Sequence, residues 1–189
     1  MPLDFGLKQR EFVRKCAISA GFNVSQVISE TSASILAYNL IQDDVSGAQN
    51  VLIYRCGGKS LTVSVVLITN GMLNVLNSVQ KELGGDQITD ILIEMLAQEF
   101  KRKHKVDPRE TKRGKMKLKL NSENVKKILS TLDNANCYIE SLYEGIDFNA
   151  NISRSRFENE FGRNLQNYLD PINEVLNLVQ LKHSDINKV

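Results

Sequence analysis

The spacing of hydrophobic positions changes along the chain and predicts alternating helices and short strands. Residues 7 to 20 place apolar side chains on one helical face, and Gly21 follows as a residue able to take the left-handed conformation that ends helices. A second helical stretch, at residues 32 to 41, precedes a polar loop at residues 42 to 49. The beginning of the chain is therefore predicted to be helical.

Beyond the polar loop, the period becomes two, which is typical of strands. Residues 51 to 54 predict a buried strand, Gly57 and Gly58 a turn, and residues 61 to 67 its partner. Asn70 and Gly71 predict a tight turn into a third strand at residues 72 to 79. Three successive antiparallel strands follow from this pattern.

From residue 84 onwards the helical period returns. Gly84 and Gly85 precede a helix for which Asp86 is the predicted N-cap, and a second helix is predicted at residues 107 to 131.

A hairpin is predicted from residues 135 to 152, turning at Glu144 and Gly145. Ser153 is then predicted to cap one long final helix with a kink at Pro171.

Composition places the chain among globular proteins, with 42% hydrophobic and 24% charged residues. No apolar run approaches the roughly 20 residues of a membrane span, and the first residues lack a signal-peptide pattern, so we expect a cytosolic location and no membrane partner. The three cysteines, Cys16, Cys56 and Cys137, are predicted to be small buried hydrophobic residues in a reducing compartment. His104 and His183 are isolated, which disfavours a metal site or a histidine-based catalytic triad.

Residues 101 to 119 hold ten Lys or Arg against Asp107 and Glu110, although the net charge of the chain is only +2. Such a segment is one pattern for nucleic-acid binding. No aromatic side chains are interleaved for base stacking, and Lys115, Lys117 and Lys119 alternate with apolar residues. A solvated helix flank is the favoured interpretation, and no direct nucleic-acid partner is expected.

Six motifs in order resemble landmarks of the ATPase domain of the seventy-kilodalton heat-shock chaperone family, and in particular a divergent cytosolic branch of it. They are SETSASILAYNL, NVLIYRCGGKSLTVSVV, ELGGD, QEFKRKHKVD, ESLYEGIDF and ISRSRFE. The resemblance covers essentially the whole chain.

The resemblance implies the actin-like ATPase fold, which is ribonuclease H-like and of the α/β class, with most of its second lobe present. Residues 1 to 44 would be the end of the first lobe and its crossing helix. Residues 45 to 83 and 162 to 189 would form the inner subdomain, with a mixed sheet, and residues 84 to 161 an outer α+β subdomain. One phosphate-binding hairpin, the last adenosine loop and the peptide-binding domain would lie outside this sequence, so we expect a truncated chain that binds ATP or ADP weakly.

The family's adenosine-binding helix corresponds here to Glu123, Lys126, Lys127 and Ser130. These positions are three and four residues apart and therefore share a helical face. Lys127 replaces an arginine of the family, and an ammonium stacks on adenine less well than a guanidinium. Without the resemblance, Glu123, Lys126 and Lys127 would be interpreted as a surface ion pair.

The family's second phosphate loop, Asp-Leu-Gly-Gly-Gly-Thr-Phe-Asp, corresponds here to the segment RCGGKSLT at residues 55 to 62. Both aspartates are lost, to Arg55 and Thr62, and these are the carboxylates that serve magnesium and the attacking water. The remaining residues of the predicted nucleotide site are Gly57, Gly58, Lys59 and Ser60 of this loop and Gly85 of ELGGD. Without the resemblance, Gly57 and Gly58 would be a plain hairpin turn.

Two further positions match the family. Glu30 corresponds to a glutamate near the nucleotide, with Thr31 where the family has proline, and Pro2 corresponds to a proline that relays the nucleotide state.

The favoured function is a regulatory, non-hydrolysing subunit that helps nascent chains fold. By resemblance its partners would be a J-domain co-chaperone, the ribosome and, on the outer subdomain, a nucleotide-exchange factor, with ATP or ADP as ligand and magnesium as an accompanying ion. The alternatives are a chaperone that hydrolyses ATP with help from residues elsewhere, and a protein-docking module without nucleotide.

Overall fold

The structure is a computed structural model that describes residues 1–40 and 47–189. It forms two compact units: the first comprises Met1–Arg55, Thr62–Lys81 and Pro171–Val189, and the second comprises Cys56–Leu61 and Glu82–Asp170. The assignment of residues to lobes and subdomains stays a prediction. Among the described residues, no helix has both the length and the apolar character that a membrane crossing requires.

The first unit contains two helices and a three-stranded sheet of order β1-β2-β3. The elements are α1 Leu7–Ser19, α2 Glu30–Ala37, β1 Ala48–Cys56, β2 Leu61–Thr69 and β3 Met72–Lys81. The predicted turn at Asn70 and Gly71 is confirmed, because both residues have the positive φ that a tight hairpin of this kind needs. The core is built from α2, β1 and β2 through Ile35, Val51, Val66 and Ile68.

Helix α2 begins two residues earlier than its pattern predicted. The hydroxyl of Ser29 accepts a hydrogen bond from the backbone N–H of Ser32 at 3.0 Å and thereby caps the helix. The helix also ends earlier than predicted, at Ala37 with Tyr38 as its C-cap, while Ile41 and the polar loop as far as residue 46 lie outside the described residues.

The cysteine prediction holds for only one of the three side chains. Cys16 and Cys56 are exposed, whereas Cys137 is buried. Burial raises the pKa of the Cys137 thiol to about 11, because a thiolate is poorly solvated in an apolar core. The other two were mispredicted because apolar neighbours in sequence do not ensure apolar neighbours in space.

In the second unit, two long helices cover a β-hairpin. The two helices are α3 Gly85–His104 and α4 Lys112–Leu129, and the hairpin strands are β4 Asn134–Tyr143 and β5 Ile146–Ser153. They are followed by α5 Arg154–Gly162 and α6 Leu165–Leu178, and the residues of α6 from Pro171 onwards belong to the first unit. The antiparallel hairpin is confirmed, with Cys137 opposite Ala150. Phe100 of α3 meets Phe148 of β5 edge to face, with ring centroids 5.4 Å apart, in the middle of the core.

Three predicted element boundaries in this unit were wrong. Asp86 lies in the first turn of α3 rather than at its N-cap, which is Gly84. The helix predicted from residue 107 begins only at Lys112, because Asp107 caps a short 3-10 turn and Thr111 caps α4. The long final helix is two helices, broken at residues 163 and 164, while Pro171 lies inside α6.

Two cations of the basic segment at residues 101 to 119 make hydrogen bonds within the protein, which a solvated helix flank would not require. Lys117 donates hydrogen bonds to the carbonyl oxygens of Glu140 and Ser141, and of the three alternating apolar residues only Leu118 is buried. Arg109 donates to both carboxylate oxygens of Asp107, at 2.9 and 2.7 Å. Hydrogen bonds from Arg109 lower the pKa of the Asp107 carboxyl to about 2.

Two glycine-containing segments meet backbone to backbone in the second unit. The N–H groups of Gly85 and Asp86 donate to the carbonyl oxygens of Gly57 and Gly58 at 2.9 and 2.7 Å. A Cβ atom on Gly84 would lie 2.5 Å from the Gly57 oxygen and 2.6 Å from the Gly58 oxygen. Only glycine at position 84 permits this approach.

We therefore expect Gly84→Ala to destabilise the second unit by about 1–3 kcal/mol, since the backbone must move to relieve the clash. Gly162→Ala is the matched control, because a Cβ there meets nothing within 4 Å. Urea unfolding, followed by amide NMR signals of the second unit, measures both. Equal stabilities for the two variants would contradict the close packing.

The Asp107 and Arg109 pair predicts a pH dependence of stability. The folded-state pKa of the Asp107 carboxyl is about 2, below the ordinary value. The stabilisation of the folded state by the ionised carboxylate is therefore fully present above about pH 4 and is lost as the pH falls through about 2. Asp107→Asn keeps an N-cap acceptor but removes the charge, and should lower the free energy of unfolding by about 1 kcal/mol at pH 7, less than the whole pKa shift implies because solvent screens the partly exposed Arg109. The difference should shrink steadily in urea titrations from pH 5 to pH 2, and a difference independent of pH would argue against the ion pair.

Candidate nucleotide site

Helix α4 places Glu123 and Lys126 side by side against the beginning of α3. The Nζ atom of Lys126 lies 2.7 Å from Glu123 Oε2, 2.8 Å from Thr89 Oγ1 and 3.0 Å from the carbonyl oxygen of Gly85. An ammonium group has three protons, and here each has an acceptor. The structure thus brings Glu123, Lys126 and Gly85 of the predicted site together.

The Glu123 carboxylate is held in its charged form. Hydrogen bonds from Lys126 and then from Thr89 lower its pKa below the ordinary value, against the opposing effect of partial burial. Both bonds go to Oε2, and the hydroxyl of Thr89 lies 2.8 Å from that oxygen. Glu123 is therefore an acceptor fixed in position and still 37% exposed.

The turn between β1 and β2 lies in the same cluster. Its ends are joined by a 2.8 Å hydrogen bond from the N–H of Gly57 to the carbonyl oxygen of Ser60. Ser60 is half-buried and Lys59 is exposed. A Cβ on Gly85 would come within 3.4 Å of Lys126 Nζ and 3.7 Å of the Gly57 oxygen, so turn, helix start and Lys126 are close neighbours.

Some backbone N–H groups of this cluster have hydrogen-bond acceptors in the described part of the protein, and others do not. The N–H groups of Gly84, Gly85 and Asp86 at the start of α3 all have partners, namely the Gln87 side chain and the two turn carbonyls. Within residues 1–40 and 47–189, the N–H groups of Gly58 and Lys59 donate no backbone hydrogen bond. The tip of the turn, rather than the helix start, offers the N–H donors that an anion needs.

Lys127 and Ser130, the other two residues of the predicted helix face, are exposed. The Ser130 hydroxyl donates to the carbonyl oxygen of Lys127, at the end of α4. Their part in a nucleotide site stays a prediction.

Sequence reasoning missed Thr89 and the pairing of Asp86 with Lys119. Thr89 is 2% exposed and contacts three members of the cluster. Its position four residues after Gly85, on the same helical face, was the available signal. Lys119 of α4 lies 3.6 Å from the Asp86 carboxylate, a contact between distant segments that no local pattern indicates.

A second polar cluster, in the first unit, joins two residues singled out by the sequence. The guanidinium of Arg55 forms an ion pair with the Glu30 carboxylate. Arg55 Nε is buried and has no hydrogen-bond partner in the described part of the chain. Glu30, Arg55 and Thr62 line a small cavity. Its volume of about 10 Å³ suffices for little more than one water molecule.

Thr31 follows Glu30 of this second cluster in the sequence, and Pro2 is next to Met1, which contacts the same segment. Thr31 is buried, and its hydroxyl lies 3.3 Å from that of Ser64. Pro2 follows Met1, whose ammonium and carbonyl groups pair with the backbone of Ile28 and Glu30 at 2.9 and 2.7 Å. The beginning of the chain is thus attached to the segment that carries Glu30, while a relay role for Pro2 stays a prediction.

Neither cluster resembles a metal centre. No group of three or more His, Cys, Asp or Glu side chains is placed to hold a metal ion among the residues that the structure describes. The donor set around Arg55 is an ion pair and hydroxyl groups, and it lacks the several carboxylate oxygens that favour magnesium. The residues present therefore do not fit a magnesium ion.

Comparison with known proteins agrees with the resemblance. A family model described as Hsp70 protein matches residues 1–189. Heat shock 70 kDa protein 14 of Mus musculus is 43% identical over 190 aligned positions, and the proteins of the same name from Xenopus tropicalis and Danio rerio are 40% and 41% identical.

These alignments take in 100% of this chain but only 37% or 38% of each relative. The chain therefore spans little more than a third of the length of these relatives. The predicted actin-like α/β fold class and the predicted branch are confirmed. A family model that matches every residue, together with 40–43% identity over the whole chain, shows that this chain belongs to the Hsp70 family.

Proposed function

We propose that this chain binds an adenine nucleotide without hydrolysing it, and that the protein to which it belongs acts as a regulatory chaperone subunit. The observation that supports this most directly is the ion pair between Arg55 and Glu30. By resemblance, an ATP-hydrolysing relative has an aspartate at the position of Arg55. Here the Glu30 carboxylate is neutralised by the Arg55 guanidinium.

The cluster around Glu123 supports nucleotide binding. A charged carboxylate that accepts hydrogen bonds suits the hydroxyl groups of a ribose, and the N–H groups at the tip of the glycine turn suit a phosphate. Lys59, exposed on the same turn, adds a cation where the family has a third glycine. All of these groups belong to the second unit.

The loss of acidic groups supports the absence of hydrolysis. An attacking water needs a proton acceptor held in line with the phosphate, and the charge that develops needs a metal or a fixed cation. Arg55 is not an acceptor at neutral pH, and Thr62 is a weak one. Even if the nucleotide were well placed, the described residues would lack the groups that promote its cleavage.

The partners follow from family membership. We propose that the whole protein works with a J-domain co-chaperone at the ribosome, in the cytosol, and that another chaperone hydrolyses the ATP used to fold nascent chains. A nucleotide-exchange factor on the second unit belongs to the same proposal. An ATP-hydrolysing chaperone and a docking module without nucleotide are the competing functions. Measurements of ADP binding and of ATP cleavage separate them from the proposed function.

In the first prediction, Glu123→Ala weakens the binding of ADP by about 1–3 kcal/mol, because a charge-assisted hydrogen bond to the ribose is lost. Lys112→Ala, a change at an exposed cation elsewhere on α4, should leave the affinity unchanged. Amide NMR titration of the 189-residue chain with ADP measures even millimolar affinities. Equal effects of the two substitutions would contradict the assigned site, and no response to ADP would favour the docking module.

The second prediction concerns Arg55→Asp combined with Thr62→Asp. Two new carboxylates near Glu30 should create a site for a divalent cation, since like charges at close range repel unless a cation lies between them. We expect magnesium to raise the melting temperature of the double variant and to leave that of the unaltered chain unchanged. Arg55→Gln, which removes the cation without adding a carboxylate, is the control.

The same variant tests hydrolysis. Single-turnover ATP cleavage should stay at the background rate in the unaltered protein and remain slow in the double variant, because a bound metal alone does not align the attacking water. Cleavage by the unaltered protein at the rate of an ordinary family member would favour the ATP-hydrolysing chaperone.

A further inference from the structure

Thr89 is a buried hydroxyl at the centre of the polar contacts between α3 and α4. It is 2% exposed, and its Oγ1 lies 2.9 Å from the Gly85 carbonyl oxygen, 2.8 Å from Glu123 Oε2 and 2.8 Å from Lys126 Nζ. A hydroxyl group has one proton to donate and can also accept. Because Lys126 donates to this oxygen, the Thr89 proton is free to go to the charged carboxylate, which is the stronger acceptor.

Lys126 is held by three acceptors of the protein. Its three acceptors are Gly85 O, Thr89 Oγ1 and Glu123 Oε2, all within 3.0 Å. Gly85 is the first residue of α3, so its carbonyl oxygen also accepts an N–H group of the helix, and Lys126 could turn one proton to a ligand without leaving that oxygen unpaired. Lys126 therefore supports Glu123 in this structure, and its own contact with a nucleotide stays a prediction.

Glu123 is in the opposite situation. Thr89 and Lys126 both donate to Glu123 Oε2, and Oε1 has no hydrogen-bond partner among the described residues. One carboxylate oxygen is thus fixed by two donors, and the other remains able to accept the proton of a hydroxyl group. The orientation of Oε1 depends on what holds Oε2.

We propose that Thr89 is a positioning residue of the nucleotide site: it holds Glu123 Oε2 so that Oε1 accepts a ribose hydroxyl. The proposal deepens the function proposed above and rests on it. Selection of ribonucleosides over deoxynucleosides would then depend on Glu123 Oε1 and on the Thr89 hydroxyl that holds the carboxylate in place.

Valine has nearly the shape of threonine without the hydroxyl group, so Thr89→Val removes the hydrogen bonds and keeps the packing. Without Thr89, the Glu123 carboxylate loses one donor and Lys126 loses one acceptor. Thr89→Ser is the matched control, because it retains the hydroxyl group and gives up only a methyl group. Both variants should unfold cooperatively near the temperature of the unaltered chain, which a thermal scan verifies.

The experiment has two readouts on the 189-residue chain. The first is the pKa of the Glu123 side chain, from a carbon-13 NMR titration without nucleotide. It should rise towards the ordinary glutamate value in Thr89→Val and stay low in Thr89→Ser. The second is the ratio of affinities for ADP and 2′,3′-dideoxy-ADP, which should fall by about tenfold in Thr89→Val and persist in Thr89→Ser.

Each outcome decides a separate statement. A Glu123 pKa that is the same in all three proteins would overturn the positioning role of Thr89. A raised pKa in Thr89→Val with an unchanged affinity ratio would overturn the assignment of Oε1 to the ribose. If the unaltered chain bound neither nucleotide, the proposed function would fail, whereas the pKa comparison would still test whether Thr89 holds Glu123.

Discussion

The close approach of two glycine segments is the constraint on which the candidate site depends. Helix α3 can begin where it does only because Gly84 has no side chain between it and the carbonyl oxygens of Gly57 and Gly58. Those oxygens accept the first N–H groups of the helix and take the place of a side-chain cap. The direction of α3 follows, and with it the distance of Thr89 and the Gly85 carbonyl from α4.

In the part of the chain that the structure describes, the half-buried ions of both candidate clusters have partners. Lys126 is surrounded by three acceptors, and Arg55 pairs with Glu30. Partnered ions stabilise an arrangement locally, but they also remove the free donors and acceptors that catalysis needs. A site of this kind favours binding through its few remaining free atoms over chemical conversion of the ligand. The proposed function fits this arrangement, because Arg55 and Thr62 replace the two carboxylates that the resemblance assigns to hydrolysis while the family fold is retained.

Much of the fold could be predicted from local pattern. The three-stranded sheet, the hairpin at Glu144 and Gly145 and the existence of α1, α3 and α4 were all indicated by period and turn residues. Helix boundaries were less predictable. The start of α3 depends on carbonyl groups 28 residues earlier in the chain, and a periodicity argument contains no information about such partners.

The sequence by itself determined the family, through motifs in a fixed order, and the residue types available to a nucleotide, because those depend on the chain alone. Only the tertiary structure decided which of them act together. It joined Glu123 and Lys126 to Thr89, a threonine on another helix, and it paired Arg55 with Glu30. Hydrogen bonds and ion pairs form between atoms within about 3 Å of each other, and spacing along the chain does not specify such distances between separate elements.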